Sequence, residues 1–534
     1  MKGLPHPHRY DFDHLRRGIS QPMLASRLNL FYHEQTMNRR SFIKAAVLTA
    51  AVPLPALRAL DTKQLSLERI GALKTKPARD IAASRIGIGM ECLDRRMYLP
   101  EKTYGHLAAL GAKWARLQTG WSRCEAKEGV YDFAWLDDVV NHVITAGVKP
   151  WFNVGYGNKL YSPDAPHESA VGQVPLYDGE RGINGWKNFL GALAEHFKDR
   201  VEHWEIWNEP NISAFWHPKH KSSPDEYAKL VAISAEAIRA RHPAARIVAC
   251  ESGVDSAFFE GCLKAGMGKH INFFSIHPYQ PEQIPELNYA AQVSRLRDIA
   301  RQFAPHVRLW QGECGAPAQT IGHHDASWMK LWNMNELNQA KWVVRRLLLD
   351  VFLDLDRAQY FHLCDLMEST YRQANGEARP PVMLGLLNGK TYTPKLAYAA
   401  MQSIATLCDA DTRPEPGYYC AMLPVADGAS LMEPYTMLFR RRGAPMLAFY
   451  QAANVQDDTP TVPVDVVLSC DSHPKKFPDI LREPVLVDPI RQTVYALSVP
   501  ERLAVKGQFR PSLRFKNLPC LDYPLLITDK STVL

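Results

Sequence analysis

From Ser84 to Leu407, short apolar runs alternate with longer stretches whose apolar positions recur every three or four residues. RIGIGMEC is a β-rich run, and KTYGHLAALG after it is helical with a terminal Gly. KWARLQTG is a second strand. FAWLDDVVNHVITAG then sets Trp135, Leu136, Val139, Val140, Val143 and Ile144 at helical spacing and ends on Gly147. VKPWFNVGYG, VEHWEIWNEP, ARIVACES, INFFSIHPY, VRLWQGECG and RAQYFHLCD continue as strands three to eight. Helices separate them, the plainest being INGWKNFLGALAEHFKD, PDEYAKLVAISAEAIRARHP and NQAKWVVRRLLLDVFLDL. Eight strand-then-helix units in about 320 residues predict an α/β chain built on a (β/α)8 TIM barrel at 84–410.

Past Leu407 the pattern changes. DADTRPEPG is a Pro- and acid-rich break, and short β-type runs follow at sandwich spacing: CAMLPVA, YTMLFRRRG, PMLAFYQAA, TVPVDVVLSC, PVLVDPIRQTVYAL, LAVKGQF and YPLLITD. They predict a smaller C-terminal all-β sandwich domain at 411–534. Residues 60–83 read as a linker able to add a strand to it.

Charge changes the picture at the amino terminus. Residues 1–60 hold nine Lys/Arg and three Asp/Glu, a net +6 of the chain's +7, so residues 61–534 carry +1. A nucleic-acid binder would carry its basic excess across the folded domain, so nucleic acid is excluded as a partner. MNRRSFIKAAVLTAAVPLPAL, from Met37, has a charged start and an apolar run of about 13 residues, short of the roughly 20 that span a bilayer. Paired Arg39 and Arg40 resemble a bacterial twin-arginine export signal, so 37–59 is expected to be a signal peptide and the mature chain to be periplasmic or secreted, with no membrane span. Residues 1–36 read as the product of an upstream start codon. The ten cysteines form no CxxC pair and no zinc-spaced cluster with His, and buried free thiols are expected for most.

In a barrel the chemistry sits at the carboxyl ends of the strands. Strand four ends in Trp207-Asn208-Glu209-Pro210 and strand seven in Gly312-Glu313-Cys314-Gly315, each lifting one carboxylate to the strand top. Three βα units of about 35 residues separate them, so both can face one central pocket. Two carboxylates flanking a bond are the minimal apparatus for glycoside hydrolysis, one protonating the departing oxygen and the other attacking or activating water. A lone strand-end Glu is as well explained by a salt bridge; the pair shifts the weight to catalysis.

The ordered set WNEP, SIHPY and GEC resembles clan A glycoside hydrolases, as does GWSRCEAKEGVYDFAWLDDVVNHVITAGVKPWFNVGYG. Families 39, 5 and 42 are near, and family 39-like enzymes nearest. The closing GLLNGKTYTPKLAYAAMQ is similar to the segment that ends many such barrels. The resemblance spans about 84–405. It implies a retaining double displacement on β-linked oligo- or polysaccharide, with Glu209 as acid/base and Glu313 as nucleophile. Asn208 is placed to bond a sugar 2-hydroxyl. Arg116, ending WARLQTG, matches the clan's arginine near the nucleophile and would keep Glu313 ionised. His277 and Tyr279 match clan positions, the Tyr hydroxyl holding the nucleophile. A Trp usual at the end of strand eight is missing, and His362 or another aromatic is expected as the sugar floor.

Trp121, Trp151, Tyr156, Tyr161, Trp216 and Trp328 lie in or near predicted strand-top loops, where half could stack on sugar and half belong to the core. Asn158 in GYGNKLY is a candidate sugar contact. His323-His324-Asp325 is a solvated loop rather than a metal site, since three adjacent residues cannot converge on one ion without strain. Cys314 packs. No cofactor is needed by two carboxylates and a water. Transglycosylation on the same residues, and a non-catalytic carbohydrate-binding barrel, remain as alternatives.

Overall fold

The computed structural model describes residues 30–31 and 65–534, apart from 166–168, 280–283, 319–333, 368–371, 374–380, 457–458, 471–480 and 504–511. The export-signal expectation at 37–59, Trp328 and His323-His324-Asp325 therefore lie outside the described residues. Eight parallel strands close a barrel in sequence order: β1 (Ile86–Gly89), β2 (Trp114–Gln118), β3 (Lys149–Val154), β4 (His203–Ile206), β5 (Arg246–Ser252), β6 (Phe273–His277), β7 (Arg308–Gln311) and β8 (Ala358–Tyr360). β8 pairs with both β7 and β1, which closes the ring. Most strand residues are buried, as expected when helices cover a parallel sheet.

The longer α-helices are α1 (Tyr104–Leu110), α2 (Ala134–Thr145), α3 (Gly179–Phe197), α4 (Pro224–Arg239), α5 (Ser256–Lys264), α6 (Tyr289–Phe303), α7 (Glu336–Phe352) and α8 (Leu396–Leu407). α4 shows why they start where they do. Ser223 Oγ accepts from Glu226 N at 3.2 Å, Pro224 opens the first turn, and Asp225 and Glu226 face the positive helix end. α1 stops at Gly111, whose φ of 84° is left-handed; a Cβ there would also lie 2.7 Å from Lys76 O. Trp114, Trp151, Val248 and Trp310 form their own cluster inside the barrel, Trp114 and Arg246, Phe273, Arg308 marking its strand-start end. Trp151 therefore belongs to the core, away from the strand tops.

The C-terminal region forms two antiparallel sheets. One has seven strands, and its edge is Arg69–Ala72, paired to Thr493–Tyr495; the other has four. The all-β domain thus borrows a strand from the segment before the barrel. α7 is buried along nearly all its length because the β-domain covers the side that the barrel leaves open. Arg345 on α7 bonds Glu286 through Nε at 2.9 Å and Ala453 O through Nη1 at 2.7 Å, while Tyr450 OH donates to Glu286 at 2.7 Å. Lys341 Nζ meets Asp522 at 2.9 Å. Burial alone would raise the Glu286 carboxyl, but Arg345 and Tyr450 outweigh it and hold Glu286 below the usual range. No helix among the described residues is long and apolar enough to cross a membrane. The cysteines whose side chains are described are all free thiols.

Candidate active site

The chain leaves β4 through two left-handed non-glycine residues, Trp207 at φ 65° and Glu209 at φ 44°. Such backbone persists only where neighbours over-determine it. Here Trp207 N donates to Val154 O at 2.9 Å, its indole N–H donates to Phe215 O at 2.7 Å, and its carbonyl accepts from Asn153 Nδ2 at 2.5 Å. The double turn brings Asn208 and Glu209 to the centre of the barrel mouth. After β7 the glycines do similar work by close approach. A Cβ on Gly312 would sit 1.9 Å from Ser275 Oγ, and one on Gly315 would sit 2.0 Å from Phe361 O. Only glycine lets the segment carrying Glu313 lie that close to β6 and β8.

Arg116 occupies the middle, fully buried. Its Nε donates to Glu205 Oε2 at 2.7 Å, Nη1 to Glu91 Oε1 at 3.0 Å and to Glu313 Oε2 at 2.5 Å, and Nη2 to Asn208 Oδ1 at 2.9 Å. A planar guanidinium can serve four acceptors at fixed angles where an ammonium cannot. Burial would lower Arg116, but Glu205, Glu313 and Glu91 together raise it further, so it stays charged. Tyr279 OH donates to Glu313 Oε1 at 3.0 Å. Both oxygens of Glu313 are thus held, and its side chain keeps 13% exposure toward the mouth.

His277 Nδ1 lies 3.0 Å from Glu209 Oε1, and Nε2 lies 3.8 Å from Glu205 Oε1. Burial would pull this imidazole down, but Glu313's charge, the nearby Glu205 carboxylate and the bond to Glu209 outweigh it and lift it to about 9. Both ring nitrogens then carry protons near neutral pH. Arg116 and His277 outweigh burial at Glu205 too and keep that carboxyl low. One oxygen of Glu209, one of Glu313 and a His277 nitrogen all lie within 4.8 Å of one another. That trio, and Glu205–Cys250–His277, have the reach of metal donors, but both border Arg116, whose fixed positive charge already sits among the carboxylates.

Of the residues singled out from the sequence, Glu209, Glu313, Arg116, Asn208, His277 and Tyr279 therefore converge on one point. His277 has no exposed surface, so it acts on Glu209 and not on a sugar. Two expectations are corrected. Asn158 is 2% exposed, with Nδ2 donating to Glu125 O at 2.9 Å and Oδ1 accepting from Leu160 N at 3.0 Å. Both ends of its amide hold the loop together, and at this depth the side chain presents almost no surface to a sugar. His362 is fully buried, its Nδ1 2.9 Å from Cys364 O and its ring edge-on to Tyr98 at 5.1 Å, so it is no floor; Phe361 beside it keeps 9% exposure. Trp121, Tyr156, Tyr161 and Trp216 are also buried, Trp121 stacking on Tyr161 at 4.9 Å. Cys314 is buried and burial pushes its thiol up to about 12, consistent with packing.

Three members of the cluster escaped sequence reasoning: Glu91, Glu205 and Asn153. Asn153 bonds Glu205 Oε2 at 2.9 Å. Glu205 lies inside the apolar run HWEI, where a charged residue was itself a signal. Glu91 tops β1 by the same rule that marks Glu209 and Glu313.

Residues 116–304 match the family model of glycosyl hydrolases family 39. A beta-xylosidase of Geobacillus stearothermophilus is 30% identical over 121 residues, 21% of this chain and 23% of that protein. A beta-xylosidase of Caldicellulosiruptor saccharolyticus is 26% identical over 168 residues, 28% of this chain and 32% of the relative. The chain thus matches these two relatives over less than a third of their length. In fold, a family 39 glycoside hydrolase from Bacteroides cellulosilyticus WH2 superposes with a TM-score of 0.58 at 18% identity, covering 84% of this chain and 81% of that one. The strands that carry Arg116, Asn208, Glu209 and His277 are the part of this chain that matches glycosyl hydrolases family 39, and its barrel is family 39-like.

Proposed function

We propose that the protein is a retaining glycoside hydrolase that cleaves β-glycosidic bonds, with Glu209 as acid/base and Glu313 as nucleophile. The observation that carries this is the approach of the two carboxylates, whose nearest donor atoms lie within 4.8 Å. Retaining enzymes set their carboxyls about 5–5.5 Å apart, whereas inverting enzymes need about 6.5–9.5 Å to admit a water. In the first step Glu313 attacks the anomeric carbon, the glycosidic C–O bond breaks, and the proton on Glu209 goes to the departing oxygen. Arg116 and Tyr279 aim Glu313, and His277 orients Glu209 through Oε1, leaving Oε2 for the transferred proton. In the second step Glu209 takes a proton from water, whose oxygen displaces Glu313 from the anomeric carbon. Asn208 gives its carbonyl oxygen to Arg116, so its amide N–H2 is the group it has for a sugar 2-hydroxyl. The beta-xylosidase relatives make a β-xyloside the first substrate to try. Residues 37–59 would export the chain by a twin-arginine pathway, tested by blocking export with Arg39→Lys/Arg40→Lys.

Purified residues 60–534 would be assayed on aryl β-glycosides, the xyloside first, beside Glu313→Ala and Glu209→Ala. Turnover that vanishes in Glu313→Ala and returns in Glu209→Ala with azide on an activated xyloside is expected. Full activity in either alanine variant without added nucleophile would refute the assignment.

A further inference from the structure

Glu91 stands three residues past the last apolar position of β1 turned inward, and it is 1% exposed, so no sugar reaches it. Its Oε1 accepts from the same Arg116 Nη1 that bonds Glu313 Oε2, at 3.0 Å and 2.5 Å. Two carboxylates therefore share one N–H2 group. Oε2 of Glu91 folds back against β1, where a Cβ on Gly89 would lie 2.4 Å from it. That oxygen has no hydrogen-bond partner among the described residues, nor has His362 Nε2, 3.6 Å away. A buried carboxylate oxygen without a donor is costly when charged and cheaper as the acid.

We propose that Glu91 is a positioning residue that divides Arg116 between itself and Glu313, so that its charge sets how strongly the nucleophile is held. This rests on the glycosidase reading above. The groups facing Glu91 are Arg116 from β2, Glu313 after β7, His362 after β8, and Cys92 and Tyr98 on its own loop. Burial pushes Glu91 up to about 7, Arg116 opposing and Glu313 adding to the rise. Burial also takes His362 down to about 4 and Cys92 up to about 12, and puts Tyr98 well above its usual value, so these stay neutral around pH 7. Asp94 and Arg95 of the same loop pair with each other at 3.3 Å. With Glu91 neutral, Arg116 holds Glu313 undivided and damps its attack. With Glu91 ionised, Glu313 shares Arg116 with a second negative charge and attacks faster.

The test is the rate of covalent trapping by a 2-deoxy-2-fluoro-β-xyloside bearing dinitrophenolate. Glu313 bonds to the anomeric carbon and dinitrophenolate leaves with the C–O electron pair, needing no acid. From about pH 5 to about pH 8.5 the wild type should show a rise of about tenfold centred near neutrality, and Glu91→Gln should show no such step. Thermal unfolding gives a readout without turnover. A carboxyl raised in the folded state weakens it as pH climbs from the unfolded value through about 7, so Glu91→Gln should gain on wild type between about pH 5 and about pH 8. Trapping at Glu313 with parallel profiles in both proteins would overturn the proposal alone. No trapping in either protein at any pH would overturn the glycosidase reading and the proposal with it, even if the melting difference appeared.

Discussion

Arg116→Lys isolates what the guanidinium does, because it keeps the charge and removes the fork. Arg116 serves four acceptors through three nitrogens: Glu205, Glu91, Glu313 and Asn208. An ammonium has three donors radiating from one point on a shorter stem, so it can follow Glu205, nearest the stem, and must abandon Glu313 and Asn208. A hydrogen bond to a charged group contributes about 1.5–3 kcal/mol. Losing the alignment of the nucleophile, which sharing Arg116 with Glu91 leaves intact, with part of the loss felt through Asn208, should take about 3–4 kcal/mol from the transition state, or about 10²–10³ in kcat/KM. Partial loss of pairing among buried carboxylates should cost about 3 kcal/mol of stability. The assay is kcat/KM on an activated aryl β-xyloside beside urea unfolding of the same preparation. A variant that loses stability yet keeps kcat/KM within about threefold of wild type would refute the reasoning. Arg116 would then be a packing device and not the anchor of Glu313.

Four further outcomes follow from the geometry. His277 sits near 9 when folded against an ordinary 6.5, so its contribution is fully present below about 6.5 and is lost as pH rises through about 9; His277→Asn should flatten unfolding free energy over that window. Gly312→Ala should drive its methyl into Ser275 Oγ and push Glu313 off line, lowering kcat about 10²-fold with KM little changed, and Ser275→Gly should restore part of it. Glu286→Gln should cost about 3–5 kcal/mol in denaturant unfolding by stranding Arg345 under the β-domain, while kcat/KM per folded molecule is unchanged. Asn158→Ala should leave KM unchanged and lower thermal stability, since both ends of its amide hold backbone; a KM rise of tenfold or about that would restore it as a sugar contact.

The barrel was readable because each strand is an apolar run capped by polar residues and each helix carries a 3.6-residue apolar stripe. Val139, Val140 and Val143 announce α2 by their spacing, and all three are buried. Glu209 and Glu313 were readable by the same rule, as polar residues where an apolar strand ends. What was not readable was depth. Asn158, His362, Trp121 and Trp216 all follow strands, and only the packed structure shows how deep they lie, Trp121 for one against Trp186 and Phe189 of α3. Glu205 was hidden because an inward-facing carboxylate inside a strand looks, in sequence, like an outward one; its partner Arg116 is 89 residues away. The strand Arg69–Ala72 joins a sheet whose other members begin past residue 411; that the linker at 60–83 could add a strand was readable, but which edge and partner it takes no local pattern reports.

Double displacement requires two carboxylates close enough for Glu313, and not a water, to reach the anomeric carbon. Proton NMR of the first turnovers of an aryl β-xyloside tests this most directly, before mutarotation mixes the anomers. The β-anomer of the free sugar should appear first. The α-anomer appearing first would mean single displacement by water, and would contradict both the assigned nucleophile and the reading of the site.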